Sequence, residues 1–154
     1  MNTEPLLATE SGRVRVLSLW EPYASLVADG LKPIETRTRP TNIRGLVAIH
    51  STLAAAPPKD YEDVARRLVA RGIDPAPYIE RKAGGQILAL VNLVACRPMT
   101  EEDETLALVA RTTDDGRARW AWFVENARRV EPVAFSGGQG WRWVPQNRLR
   151  VVPQ

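Results

Sequence analysis

Apolar and polar residues alternate in several parts of the chain, and a period of two predicts β-strands. Residues 13–19 alternate in this way and predict the first strand. Residues 45–50 are apolar on both faces up to His50, a pattern typical of a strand in the middle of a sheet. Further strands are predicted over 34–39, over 86–96 as the longest strand, over 120–124, 128–135, 141–144 and 148–152.

Three other segments carry the apolar spacing of an α-helix. The second helix is predicted over 59–71, and the third begins at Thr100 and runs to about residue 110. Strands scattered among three helices, without strict alternation, predict an α+β domain built on a mostly antiparallel sheet or barrel. The first helix carries a stripe formed by Trp20, Tyr23, Ala24, Val27 and Leu31.

The length of 154 residues is that of one domain. Residues 1–12 are polar and unpatterned, so we predict a flexible N-terminal tail followed by a single domain over 13–152. The first residues lack the basic flank and apolar core of a signal peptide, and no apolar run reaches the ~20 residues of a membrane span. We therefore expect a soluble, cytoplasmic protein that does not contact a membrane.

The residues that usually hold metals and cofactors are scarce. Cys96 is the one cysteine and His50 the one histidine, so the sequence offers neither an internal disulfide nor a zinc ligand set. It also contains no glycine-rich phosphate loop and no dinucleotide fingerprint. We predict no metal and no cofactor. His50 ends an apolar strand and is interpreted as a hydrogen-bonded edge histidine, with a general base as the less favoured alternative.

Positive charge is concentrated toward the C-terminal end. The net charge is +3, but residues 111–150 alone carry eight basic and four acidic groups together with four of the five tryptophans. Basic side chains among aromatic ones suit a polyanion with stackable bases. Eighteen of the 21 cations are arginine, which a coding bias would also explain. Charge alone therefore leaves nucleic-acid binding and an ordinary soluble surface as equal alternatives.

The densest charge lies where the first helix gives way to the second strand. Lys32, Glu35 and Arg37 fall within six residues there. An unpaired buried charge is costly, so these groups must pair with one another, with water or with a ligand. We favour a phosphate or a base for Lys32 and Arg37, with Glu35 orienting one of them. The alternative is a structural salt-bridge cluster that pins the helix to the sheet.

The remaining candidates are cations and aromatic residues. Arg39 and Arg44 flank the same junction and are interpreted as surface charges, with phosphate contact as the alternative. Trp141 and Trp143 flank Arg142 after a glycine-rich loop, so they either stack on bases or fill the end of a barrel. The tryptophans predicted in the core are Trp20, Trp120 and Trp122.

The spacing of several motifs resembles the ASCH family, which is related to the PUA domains of RNA-modifying enzymes. The first motif is Leu-Ser-Leu-Trp-Glu-Pro-Tyr-Ala-Ser-Leu over 17–26. It is followed by Gly30-x-Lys32-x-x-Glu35-x-Arg37, and then by Arg44-Gly45 before the strand that ends in His50. The resemblance extends over about residues 13–152.

The resemblance implies a PUA-like, mostly antiparallel β-barrel with about three flanking helices. It also implies a basic cleft beside the first helix that binds RNA or single-stranded nucleic acid. The second implied function is a small hydrolase in the same cleft, either a ribonuclease or an amidohydrolase on a modified nucleoside such as acylated cytidine. Lys32 and Glu35 would then be catalytic. The residues implied in nucleic-acid binding are Lys32, Glu35, Arg37, Arg39, Arg44, Trp141 and Arg142.

Two residues depart from the family pattern. Glu21 stands where a glutamine is common, which adds negative charge near the expected cleft. The amidohydrolase branch has a threonine three residues after its lysine, but that position holds Glu35 here. Thr36 is one residue later and is expected to face the other side of the strand. This difference weakens the amidohydrolase interpretation.

Overall fold

The computed structural model describes residues 11–80, 84–137 and 140–153, so residues 1–10 of the predicted tail lie outside the described residues. Within these ranges one sheet of six strands carries the fold, in the order β2-β5-β4-β3-β1-β6. The strands are β1 (Arg13–Glu21), β2 (Ile34–Arg37), β3 (Gly45–Ala55), β4 (Gln86–Pro98), β5 (Trp120–Ala134) and β6 (Arg142–Pro145).

The sheet is mixed, with β1 and β3 parallel and the other neighbours antiparallel. The prediction of an α+β domain with a mostly antiparallel sheet is confirmed. The predicted β-barrel is not closed in the described part of the chain, where β2 and β6 are the two ends of the strand order. β1 pairs with β3 on one side and with β6 on the other, so neither of its edges is left to pair with β2. Among the described residues, β2 therefore pairs with β5 alone.

Both faces of the central strand β3 are buried. Val47 and Ile49 pack in one apolar cluster with Ala24 and Val27, whereas Ala48 packs in a second cluster on the other face. Side chains of a strand alternate between faces, so a strand covered on both sides is apolar at every position. The prediction of a central strand from residue 45 is therefore confirmed, although it continues to Ala55.

The described ranges also contain four α-helices: α1 (Tyr23–Ala28), α2 (Pro58–Ala70), α3 (Ala76–Ile79) and α4 (Glu104–Ala107). In the part of the chain that the structure describes, no helix has the length and apolar character needed to cross a bilayer. The second predicted helix is confirmed as α2, whose Val64 and Leu68 pack against Leu26 and Leu108. The capped start at Thr100 is also confirmed, through a reciprocal pair of hydrogen bonds with Asp103.

Three boundaries differ from the sequence-based predictions. The third helix is a 3-10 turn, Glu101–Asp103, followed by α4, and it ends before Leu108, which has a left-handed φ of 59°. β5 is longer than β4, because the two strands predicted around residue 126 are one strand with irregular pairing. The predicted last strand is a 3-10 turn, Gln146–Arg148, followed by one bridge between Val151 and Val130.

The end of α1 places the charged segment beside the sheet. Gly30 has a φ of +76°, a conformation that glycine adopts without strain. The amides of Leu31 and Lys32 then both donate to the carbonyl of Leu26, at 3.0 and 3.1 Å. This closing turn reverses the chain and directs it into β2. Lys32 therefore enters the space between α1 and the edge of the sheet.

Candidate nucleic-acid interface

Two hollows lie beside the unpaired edge of β2. The larger has a volume of about 1030 Å³ and the smaller about 340 Å³. Their walls share Ser18, Trp20 and Arg37, so the two spaces meet at those residues. We refer to the larger hollow and the smaller hollow together as the cleft. It opens between β1 and β2, which no hydrogen-bonded ladder joins among the described residues.

Arg37 forms the partition between the two hollows. Its Nη2 donates to the main-chain oxygen of Ser18 at 3.0 Å, and its Nε lies 3.3 Å from Oε2 of Glu35 without the alignment of a hydrogen bond. One third of the side chain is exposed. A guanidinium has five N–H groups, and among the described residues the bond to Ser18 is the one hydrogen bond of this side chain. Arg37 therefore keeps donors for a ligand.

Glu35 lies behind Arg37 and is buried, with 6% of its surface exposed. Its Oε1 accepts a hydrogen bond from the amide of Thr36 at 2.9 Å and lies 3.9 Å from Nζ of Lys32. The carboxylate therefore sits between two cations, one on each side. This arrangement holds Arg37 in place and compensates part of the charge of Lys32.

Lys32 is the deepest of the three charged residues, with 1% of its surface exposed. Its Nζ donates to the main-chain oxygens of Ile34, at 2.8 Å, and Ala107, at 2.5 Å. Burial lowers the pKa of Lys32 to about 8, although nearby Glu35 acts in the opposite direction. The charge of Lys32 is thus directed at the backbone and Glu35. Its direct contact with phosphate stays a prediction.

The structure brings the predicted trio together, but at three different depths. Lys32 is sealed, Glu35 is buried and Arg37 is partly open. Thr36 also borders the smaller hollow, although it follows Glu35 directly and is expected to face the other side of the strand. The hollow lies beside the edge of β2, and residues on both faces of an edge strand reach the space next to it.

Trp20 is the site residue that the sequence analysis missed. It was predicted in the core, but 47% of its surface is exposed at the boundary of the two hollows. The prediction was wrong because α1 begins three residues later, so Trp20 still belongs to β1. Its strand neighbours Leu19 and Glu21 are buried, and alternation directs Trp20 outward. The alternating pattern of 13–19, continued by two residues, was the available signal.

The flanking arginines differ in their position relative to the cleft. Arg39 is exposed and borders the larger hollow, and its carbonyl accepts a hydrogen bond from Nε1 of Trp122 at 3.0 Å. Arg44 donates to the carbonyls of Thr41 and Ile43. In the described ranges Arg44 and Arg142 border neither hollow, although both are exposed.

Two tryptophans form the far wall of the larger hollow. Trp122 is 4% exposed, so its predicted core position is confirmed, whereas Trp120 is partly buried. The ring of Trp141 stacks on Trp122, with centroids 6.3 Å apart and an angle of 20° between the planes. Trp141 therefore connects the core to the opening of the hollow.

His50 forms a second polar pair in the larger hollow. It is 2% exposed, with Nε2 3.0 Å from the carbonyl oxygen of Phe135 and Nδ1 2.8 Å from Oγ of Ser18. A carbonyl oxygen only accepts, so Nε2 carries the proton and Nδ1 accepts from the hydroxyl of Ser18. Burial lowers the pKa of His50, which favours the neutral ring. Both nitrogens are thus bonded, as predicted, although His50 lies within the central strand β3 and not at an edge.

The departure at Glu21 does not bring charge into the cleft. Glu21 is 4% exposed and its Oε1 accepts a hydrogen bond from Oγ of Ser25 at 2.9 Å. It borders neither hollow in the described structure. In the same ranges, no three His, Cys, Asp or Glu side chains lie close enough together to hold a metal ion.

The model of the ASCH domain family matches residues 17–134, a range that contains α1, the charged trio, His50 and the strands that form the cleft. The chain belongs to the ASCH family. The resemblance inferred from the motifs is confirmed, and the match includes every wall residue of the cleft except those after residue 134. No curated protein sequence matches this ASCH chain significantly.

Solved ASCH structures share the fold. A crystal structure of ASCH from Zymomonas mobilis has a TM-score of 0.56 at 14% identity, covering 86% of this chain and 88% of that one. The structure of a tyrosine-to-phenylalanine mutant of the Zymomonas mobilis protein has a TM-score of 0.52 at 14% identity, covering 87% of this chain and 93% of that one. The structure of a serine-to-alanine mutant of the same Zymomonas mobilis protein has a TM-score of 0.50 at 13% identity, covering 87% of this chain and 91% of that one. At such low identity these similarities show the fold alone.

Proposed function

We propose that this ASCH domain binds single-stranded nucleic acid, RNA in the first place, in the cleft beside α1. The observation that carries the proposal is the position of Arg37 between two hollows with donors left unbonded. A guanidinium held from behind by a carboxylate presents a planar fork that fits a phosphate or the edge of a base. Glu35 is the positioning residue for Arg37 in this proposal.

The two hollows differ in charge, and this difference suggests which part of a nucleotide each one takes. In the described structure the larger hollow is lined by Arg37 and Arg39 and by no carboxylate. The smaller hollow mixes both signs through Lys32, Glu35 and Asp60. A phosphate is favoured where only cations face it, while a base edge with donors and acceptors suits the mixed lining.

Trp20 supplies the aromatic surface. Its surface is 47% exposed at the point where the hollows meet. Stacking on an aromatic ring stabilises a bound base by about 1–3 kcal/mol and tolerates any base. The predicted contacts of Arg44 and Arg142 lie outside the cleft and remain predictions about longer ligands.

Fluorescence anisotropy with labelled oligo-U and oligo-dT tests the proposal at several salt concentrations. We expect salt-sensitive binding that weakens about tenfold in Arg37→Ala, the loss of one charge-assisted contact. The slope of log K against log salt should also become shallower by about 0.7. Arg66→Ala is the matched control, because Arg66 is exposed on α2 and borders neither hollow. Absence of salt-sensitive binding to both oligomers overturns the proposal.

The buried amine favours a second candidate function, hydrolysis of RNA or of a modified nucleoside in the same cleft. A lysine whose pKa is about 8 is partly neutral near physiological pH, and Glu35 lies 3.9 Å away as the acid–base group. Incubation with labelled RNA and with acylated cytidine tests this function. Turnover that disappears in Glu35→Gln, with an unchanged circular dichroism spectrum, supports it. Lack of turnover in the unaltered protein excludes hydrolysis of these substrates.

A further inference from the structure

Arginine and tryptophan side chains form a continuous stack from the cleft to the far edge of the sheet. At the inner end, the guanidinium carbon of Arg37 lies 5.8 Å from the ring centroid of Trp122. Trp122 stacks on Trp141, and the guanidinium carbon of Arg15 lies 6.0 Å from the ring centroid of Trp141. We call the whole series the Arg–Trp stack; its members are Arg37, Trp122, Trp141, Arg15, Trp143 and Arg13.

The outer half of the stack lies on paired strands. Arg15 is opposite Trp143 in the antiparallel register of β1 and β6. Arg13 is two residues before Arg15, so the two side chains share one face, about 6.6 Å apart along the strand. Their guanidinium carbons lie 4.9 and 4.3 Å from the centroid of Trp143. Both guanidinium groups are therefore held in place by one indole ring.

The two outer arginines are not neutralised in the part of the chain that the structure describes. No carboxylate there lies within ion-pair distance of Arg13 or Arg15. Trp143 is 37% exposed, but Arg13 and Arg15 both lie against its ring. The ring positions the cations, and the guanidinium N–H groups remain for a partner. Fixed planar donors of this kind fit phosphate oxygens in pairs.

We propose that Arg15 and Arg13 form a second phosphate-binding segment, which carries a bound single strand out of the larger hollow and across β1 and β6. The inference rests on the proposed function, because the inner end of the stack is Arg37 in the cleft. The partner is the backbone of the same nucleic acid, since the stack leads from Arg37 in the cleft to Arg15 and then to Arg13. A short oligonucleotide would occupy the cleft alone, whereas a longer one would also reach Arg15 and Arg13.

A length series of labelled oligo-U and oligo-dT tests the inference, with oligomers of about 4 and about 12 nucleotides. We expect Arg15→Ala and Arg13→Ala each to weaken the binding of the long oligomers about fivefold. The slope of log K against log salt for these oligomers should become shallower by about 0.7. Neither variant should change the affinity of the short oligomers. Arg37→Ala should weaken both lengths, and Arg66→Ala neither.

The outcomes separate the two proposals. If the unaltered protein binds neither length, the proposed function itself fails. If both lengths bind and Arg37→Ala weakens both, but Arg15→Ala and Arg13→Ala leave the long oligomers unchanged, the second segment is overturned and the cleft stands. Trp143→Leu keeps every charge and releases the arginines from the ring. We expect it to lower the affinity for the long oligomers alone, and by less than Arg15→Ala or Arg13→Ala does. Equal losses for both lengths contradict the inference.

Discussion

Nη2 of Arg37 donates a hydrogen bond to the main-chain oxygen of Ser18, 3.0 Å away, and joins β2 to β1 across the open part of the sheet. No ladder of backbone hydrogen bonds connects these strands in the described structure. The same guanidinium is the partition of the cleft. A ligand that binds Arg37 therefore contacts the group that holds the two walls together.

The first prediction concerns the buried amine. Lys32→Met is expected to lower the free energy of unfolding by about 2–4 kcal/mol, because Glu35 loses one cation and two buried carbonyls lose their donor. Urea denaturation at pH 7 measures the change. Lys59→Met is the matched control, since that ammonium is exposed and pairs with Asp114 at the surface. Equal stabilities of Lys32→Met and the unaltered protein would show that the pair contributes nothing.

The second prediction is the pH dependence of that pair. Between about pH 8 and the ordinary lysine pKa of 10.5, the unfolded chain holds a proton on Lys32 that the folded chain has released. Stability must then rise with pH, since the unfolded state binds more protons. We expect a gain on the order of 2 kcal/mol from pH 8 to pH 10 in the unaltered protein relative to Lys32→Met.

Urea titrations of both proteins at successive pH values measure this difference. The window ends at pH 10, because the raised pKa values of Tyr23 and Tyr78 make folding less favourable above it. A difference between the two proteins that stays constant or shrinks with rising pH contradicts the lowered pKa of Lys32.

The third prediction uses the single histidine. His50 is the one histidine of the sequence, so its imidazole proton signals are assigned without ambiguity in NMR spectra of untagged protein. We expect it to titrate below the ordinary value of 6.5, because burial lowers its pKa. The unfolded chain then takes up this proton first as pH falls below 6.5, and stability decreases. Ser18→Ala should raise the pKa, because the hydroxyl bonds the neutral ring. Titration at or above 6.5 would falsify this account.

The fourth prediction concerns the glycine that covers this pair. A Cβ atom on Gly137 would lie 2.5 Å from Cε1 of His50 and 2.9 Å from Oγ of Ser18. Gly137→Ala is therefore expected to cost about 1–3 kcal/mol of stability and to shift the His50 signals. The exposed neighbour Ser136 provides the control, Ser136→Ala, which should change neither. Unaltered thermal unfolding and unaltered His50 signals in Gly137→Ala would refute the close packing.

Local sequence patterns determined most of the secondary structure. The strand of residues 45–50 was apolar on both faces because both faces are covered. The helical turn after Thr100 was predictable because its cap involves Thr100 and Asp103, which are only three residues apart. The motif over 17–26, together with the following one that contains Lys32, Glu35 and Arg37, indicated the family, and the family is confirmed. The ends of elements were less accurate, because β5 passes through the irregular pairing that separated the two predicted strands.

The sequence by itself determined which charges meet after the first helix, since a short helix followed by a strand places Lys32, Glu35 and Arg37 at one junction. Only the tertiary structure decided their depth and their partners. Ala107, 75 residues further along the chain, takes the hydrogen bond that seals Lys32, and Ser18 reaches His50 across parallel strands. Periodicity assigns a side chain to a face of its own element. Which segment covers that face depends on contacts between residues far apart in the chain, and these left Arg37 and Trp20 open while burying Lys32.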